Sequence, residues 1–226
     1  MKTTFYRMAA SFVLMMALAA PAQGQGGKTM RILVGFPPGQ ATDLVARLVA
    51  DRLSTSLGHP VIVENRPGQG GSVVLGMLAK SPADGSVLSL SALAAYVVNP
   101  HLYKNVAYNT LKDFDAVALV ADLPLVLGVN SALPPATLGD LVAYAKADPD
   151  RLTHSSSGNG TLSHLLMEAF KQRAGIKILH VPYQGSPRAM NDLAGGAVQV
   201  GLDTVAVMRP FWQAGKIRII AAGTRS

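Results

Sequence analysis

Residues 154–170, HSSSGNGTLSHLLMEAF, place three serines, two glycines, an asparagine and a threonine directly in front of an amphipathic run. Such a stretch could bind a ligand, hold a nucleophile, or only begin a helix. Apolar side chains recur in it at helical spacing, at Leu162, Leu165, Leu166, Ala169 and Phe170. This spacing predicts a helix from about Leu162 to Ala174 with Thr161 as its N-cap.

Two glycines before that helix favour an anion site. Gly158 and Gly160 can turn backbone N–H groups toward one point, with the positive end of the helix dipole behind them. Ser156, Ser157 and Thr161 would add hydroxyl donors. A capped helix with a flexible lead-in explains the same residues equally well, so both interpretations stay open at this point.

Other chemistries have weaker support in the sequence. His164 could contact a bound carboxylate or face solvent, and a lone histidine more often does the second. The five histidines show neither HExxH nor a paired ligand spacing, so no metal is expected. HSSSGNG lacks the leading glycine of the GxSxG motif of serine hydrolases, so acyl transfer is not expected. Residues 68–76, GQGGSVVLG, depart from the GxGxxG motif, so no nucleotide cofactor is expected.

Composition indicates an exported globular protein. The chain has 226 residues, of which 49% are hydrophobic and 15% charged, enough for one large or two small domains. Lys2 and Arg7 precede an apolar run, and a small-residue cleavage site follows at Ala22, which predicts a signal peptide over residues 1–22. The chain has no cysteine, so disulfides and thiolate chemistry are excluded. Its net charge of +7 is scattered rather than clustered, which argues against nucleic acid and favours a small anionic ligand.

The order of elements predicts an α/β protein in two parts. A buried strand at 31–36 precedes a helix that begins at Thr42 or Asp43 and stops at Gly58. A strand at 61–64, a helix at 72–80 and a strand at 87–92 complete a parallel sheet covered on both faces. Apolar runs at 116–120 and 125–129 lead into a second strand and helix series, with a boundary near 122–125. That series comprises helices near 138–146, 162–174, 188–194 and 205–214, and strands ending near 154, 181, 203 and 223.

Three loops stand where open sheets bind ligands, beyond the carboxyl ends of strands: FPPGQATD, NRPGQGG and SSSGNGT. Together with three further segments they resemble, in order, the Bug-type receptors of tripartite tricarboxylate transporters. The segments are GFPPGQATDLVARLVADRL, VIVENRPGQGG, SPADG, SSSGNGTLSHLLMEAF, HVPYQGSPRAMNDLAGGAVQVGLD and GKIRIIAAGT. The similarity covers nearly everything after the signal peptide.

This resemblance implies a type II periplasmic binding protein fold, with a ligand clamped in a cleft between two α/β lobes. The N-terminal part of lobe 1 would span residues 28–122, and lobe 2 would span residues 123–221. Residues 222–226 would start the crossing of the chain back to lobe 1. Family members continue past this point, so the C-terminal part of lobe 1 is expected to be missing. We expect a monomeric periplasmic receptor, not an enzyme, that delivers a small carboxylate to membrane permease subunits.

The resemblance also implies ligand-binding residues on three segments. They are Phe36, Pro38, Gly39, Thr42 and Asp43 in the first loop, Ser156, Gly158, Asn159, Gly160, Thr161 and His164 in the facing loop, and Asp203 in lobe 2. Asp43 has an equally good interpretation as a helix cap. Gln40 departs from the family's FPPGG pattern and adds a side chain at the mouth of the cleft. The rival hypotheses are a hydrolase that uses the serine-rich loop, and a truncated, non-transporting ligand sensor or remnant.

Overall fold

The computed structural model describes residues 29–149 and 151–223. The predicted signal peptide lies outside these ranges. None of the helices within them is long and apolar enough to cross a bilayer.

The first sheet has three parallel strands in the order β2-β1-β3. Its strands are β1 (Met30–Val34), β2 (Val61–Asn65) and β3 (Val87–Ser89). Its helices are α1 (Ala41–Leu57), α2 (Ser72–Leu78), α3 (Leu93–Val97) and α4 (Asn99–Leu102), with a short 3₁₀ turn at Gln69–Gly71. We call these elements lobe 1. The parallel arrangement confirms the prediction for this half of the chain.

Helix α1 begins earlier than the predicted cap at Thr42 or Asp43. Gln40 is its N-cap residue, with extended backbone, and its side chain makes no capping hydrogen bond. Asp43 still stabilises this end, but from inside the first turn, because its Oδ2 accepts the Gly39 N–H at 2.9 Å. The predicted stop is confirmed, since Gly58 adopts the left-handed conformation at φ 69°.

The second sheet has five strands in the order β6-β5-β7-β4-β8. They are β4 (Leu125–Asn130), β5 (Thr153–Ser156), β6 (Leu179–Pro182), β7 (Val200–Thr204) and β8 (Ile217–Ala222). Helices α5 (Leu138–Ala147), α6 (Leu162–Ala174), α7 (Ser186–Gly195) and α8 (Val205–Gln213) cover its faces. We call these elements lobe 2. Strand β4 runs antiparallel to β7 and β8, so this sheet is mixed.

Both faces of the second sheet are buried. Val126 packs on one side with Met190 and Met208, whereas Leu127 packs on the other side with Leu141. Alternate side chains of β4 therefore enter opposite cores, as the strand period of two requires. This burial holds the carboxyl end of β5, and so the serine-rich loop after it, in a fixed position.

The apolar run at 116–120, which precedes the elements of lobe 2, is not a strand. No regular structure forms there, and Val117 and Leu119 are 82% and 91% exposed. An isolated apolar run has no ladder partner, and none of the described strands pairs with it. The segment instead belongs to the connection between the lobes, whose exact boundaries at 28–122 and 123–221 stay predictions.

Candidate functional site between two helix N-termini

A cavity of about 120 Å³ lies between the lobes. Lobe 1 contributes Phe36, Gln40, Ala41 and Thr42 to its wall, together with Gly70 and two alanines. The facing wall consists of residues from lobe 2 and the connection before it, including Leu125, Ser157, Thr161, Leu162, Ser163, Asp203 and Thr204. The cavity therefore meets the first turns of both α1 and α6.

The N-terminus of α1 presents unused donors to this cavity. The first intrahelical bond runs from Leu44 N–H to Gln40 O, so the amides ahead of Leu44 have no helical acceptor. Thr42 Oγ1 is buried and has no hydrogen-bond partner. An unpartnered hydroxyl beside uncapped amides is a donor set for an acceptor that enters from the cavity.

The N-terminus of α6 faces it from lobe 2. Thr161 is the N-cap residue, as predicted, but its hydroxyl donates to Gly158 O at 2.6 Å instead of accepting from the helix. The first intrahelical bond runs from Leu165 N–H to Thr161 O, so the amides before Leu165 are also without helical partners. Ser157 and Ser163 share a hydroxyl contact of 3.1 Å beside them. Two positive helix ends thus meet at one small space.

Asp43 holds the first loop in position. Its carboxylate accepts hydrogen bonds from Gly39 N, Arg47 Nε and Asn65 Nδ2 at 2.9 to 3.0 Å, and Asn65 also donates to Phe36 O. Burial opposes ionisation of Asp43, but these donors outweigh it, so its pKa lies below the ordinary value. Asp43 is outside the cavity wall, and its carboxylate positions the residues that form that wall.

Asp203 is the buried carboxylate on the lobe 2 side of the cavity. Its Oδ2 accepts the Ser186 hydroxyl at 2.6 Å, and its Oδ1 accepts the Thr204 amide at 2.7 Å. Burial raises its pKa in spite of these donors. Ser186 also donates its backbone N–H to Gln40 Oε1 across the cleft at 3.1 Å.

Further contacts join the lobes beside the cavity. Tyr103 Oη donates to Asn159 O at 2.9 Å, from just after α4 to the serine-rich loop. Gly160 has φ +75°, and a Cβ at that position would overlap Leu102 of lobe 1. The loop therefore needs glycine there for both its backbone conformation and its close approach to α4.

A cluster of histidines lies on the α6 side of the second sheet, outside the cavity wall. The His180 ring stacks on both His154 and His164, with centroids 4.8 and 4.2 Å apart. Burial lowers the pKa of His154 and of His180 to about 4, and neighbouring positive charge adds to the effect. His180 Nε2 lies 2.7 Å from Ser156 Oγ. Ser156 is only 1% exposed and is not part of the cavity wall, so a substrate in the cleft does not reach this pair.

The same cluster contains the only group of potential metal ligands found among the described residues. Ligand atoms of His164, Glu168 and His180 lie within 4.8 Å of one another. This donor set is chemically suited to a divalent transition metal. Each member already has a protein partner, however: Gly160 N–H donates to His164 Nδ1, Lys171 to Glu168, and Ser156 contacts His180.

The structure brings four of the predicted site residues into the cavity wall: Phe36, Thr42, Thr161 and Asp203. The remaining eight lie outside it, namely Pro38, Gly39, Asp43, Ser156, Gly158, Asn159, Gly160 and His164. Wall residues absent from the predicted set include Ala41, Leu162, Ser163 and Thr204. The signal that could have identified them is position, because each stands at or within the first turns of α1, α6 or α8.

Comparison with known proteins places this geometry in a family. A family model described as the tripartite tricarboxylate transporter family receptor matches residues 45–226. The chain belongs to that family. The protein BugT of Bordetella pertussis is 37% identical over 93% of the chain, and a Cupriavidus necator protein is 36% identical over 90%. The chain spans about 65% and 62% of the lengths of these two relatives.

Solved structures confirm the periplasmic binding protein-like α/β fold. A periplasmic transporter structure matches with a TM-score of 0.84 at 35% identity, over 91% of this chain and 68% of the other. An R. palustris protein with adipate matches at 0.86 and 34% identity, over 88% and 66% of the two chains. MatC from Rhodopseudomonas palustris with bound malate matches at 0.81 and 27% identity, over 88% and 67%.

Proposed function

We propose that this protein is an exported receptor that captures a small carboxylate in the interlobe cavity and delivers it to a tripartite tricarboxylate-type membrane transporter. The observation that carries the proposal is the pair of uncapped helix N-termini, α1 and α6, that face one cavity from opposite lobes. The adipate and malate bound by two structural neighbours support the same ligand class. The family supports delivery to a transporter and a periplasmic location.

The size of the cavity limits the ligand. At about 120 Å³ it is well below the ~300 to 1,000 Å³ of sites for drug-sized molecules. A short-chain acid matches this space. Closure over such a ligand would be favoured because the acid contacts donors of both lobes only when they meet.

A thermal-shift panel tests the proposal. The purified chain would be heated with short mono- and dicarboxylates and, as matched controls, with the uncharged amides of the same acids. A ligand at a hundred times its dissociation constant adds about 2.7 kcal/mol to the free energy of unfolding, which raises Tm by several degrees. We expect a shift with at least one acid and none with the uncharged amide of that acid. Folded protein that responds to no acid would contradict the proposal.

A further inference from the structure

A single residue of lobe 1, Gln40, lines the cavity and also occupies the N-terminus of a third helix, α7, which lies behind the cavity wall. Its Oε1 accepts the Ser186 N–H at 3.1 Å, and the contact is buried. Ser186 is the first residue of α7, and the next residue, Pro187, has no N–H. The amide that a ligand could use most directly at this helix end is therefore already bonded to a protein side chain.

The residues around that contact are closely packed. Gly185 precedes Ser186 with φ +111°, and a Cβ there would overlap Pro37 and lie 2.9 Å from Gln40 Oε1. Gln40 itself is 7% exposed. The glutamine side chain thus fills the junction between the first loop and α7 and joins the two lobes through it.

The cavity wall on this side contains one carboxyl group. Asp203 forms part of the cavity wall and is bonded to the Ser186 side chain. An anionic ligand group placed there would meet a second carboxylate, and the Ser186 amide of α7 would not be free to offset its desolvation. A ligand group with N–H or O–H donors would instead find acceptors, namely Asp203 and the Gln40 carbonyl oxygen.

We propose that Gln40 makes the site selective for acids with one carboxylate, which the α1 and α6 N-termini bind, and against acids with a second carboxylate that points to α7. The opposite end of the ligand is uncharged and carries either a hydrogen-bond donor or a short apolar group. This inference rests on the proposed function, because it concerns the second end of the same ligand.

An isosteric pair of ligands separates charge from size. Succinate and succinamate have the same chain length and nearly the same volume, but succinamate has an amide in place of one carboxylate. By calorimetric titration of the full chain, we expect succinamate to bind at least about tenfold more tightly than succinate, because an unpaired second charge is costly to bury.

The role of Gln40 itself is tested by Gln40→Ala, with Gln40→Gly as a second variant in case the first does not fold. Either change frees the Ser186 amide. We therefore expect the preference for succinamate over succinate to fall to about twofold or less, mainly because succinate binds more tightly. Gln172→Ala, an exposed position far along α6, is the matched control and should keep the wild-type preference.

Three results would overturn the inference. Equal affinity of the wild type for succinate and succinamate would refute the selectivity while leaving carboxylate capture intact. A clear preference that persists unchanged in both folded Gln40 variants would refute the role of Gln40. Failure of every acid to bind, in the wild type and the variants alike, would refute the proposed function and this inference with it.

Discussion

Removing the unpartnered hydroxyl of Thr42 should stabilise the free protein but weaken ligand binding. Thr42 Oγ1 is buried in the wall of the cavity without a hydrogen-bond partner. In the free protein it has lost its hydration with no compensating bond, a condition that costs about 1 to 3 kcal/mol. A ligand carboxylate would supply the missing acceptor. Thr42→Val, which exchanges the hydroxyl for a methyl group of similar size, should therefore change folding and binding in opposite directions.

The magnitudes follow from that exchange. Unliganded Thr42→Val should be more stable than the wild type by about 1 to 3 kcal/mol, since only an unpaired polar group is removed. A hydrogen bond to a charged group contributes about 1.5 to 3 kcal/mol, so the dissociation constant for the best acid should rise roughly 10- to 150-fold. Chemical denaturation measures the first quantity and calorimetric titration measures the second.

Thr55→Val is the matched control. Thr55 lies on the same helix, is exposed, and donates only to Asp51 O. It should leave ligand affinity unchanged. If Thr42→Val kept wild-type affinity for an acid that the wild type binds, the α1 N-terminus would not be the place where the carboxylate sits, and the interpretation of the cavity would be refuted.

Three further changes test the scaffold of the site. Asp43→Asn should lower the free energy of unfolding by about 2 kcal/mol and weaken ligand binding, because a buried carboxylate with three donors loses its charge. The control Asp51→Asn, at an exposed position, should do neither. Equal urea midpoints of the two variants would contradict this. Gly160→Ala and Gly175→Ala both place alanine at positive φ, which should lower the free energy of unfolding by about 1 to 2 kcal/mol. Only the new methyl group at position 160 overlaps lobe 1, so only Gly160→Ala should abolish ligand binding in calorimetry. His154 and His180 both have a pKa of about 4, against 6.5 when unfolded, so stability should be full above pH 6.5 and fall by at least roughly 3 kcal/mol as the pH drops toward 4. A flat urea midpoint between pH 7.5 and 4.5 would argue against this.

Local signals in the sequence predicted the long helices of lobe 2 well. Helix α6 has its predicted bounds, because an apolar stripe, a threonine before it and a glycine after it all agree. The predicted start of α1 is two or three residues late, because Asp43 acts on Gly39 from within the helix and resembles a cap in sequence. Helices α3 and α4 were missed, since they are too short to establish a period.

Features that depend on distant partners were not predictable in the same way. The apolar run at 116–120 has strand composition but forms no ladder, and the antiparallel direction of β4 is set by its pairing with β7 and β8, which come 70 or more residues later. The contact of Gln40 with Ser186 joins residues 146 positions apart. Sequence position showed that Gln40 was unusual, but only the packing of the two lobes shows which group its side chain meets.

The way each long helix begins links stability to the proposed function. Helix α5, which starts away from the cavity, has a complete capping box between Thr137 and Asp140. Helices α1 and α6 start at the cavity and have no side-chain cap, although a cap contributes about 1 kcal/mol. Helix α7 also lacks its own cap, but Gln40 of the other lobe supplies the acceptor. The chain thus leaves the α1 and α6 ends unsatisfied where, on the proposed function, one carboxylate enters between them, and it satisfies the α7 end internally.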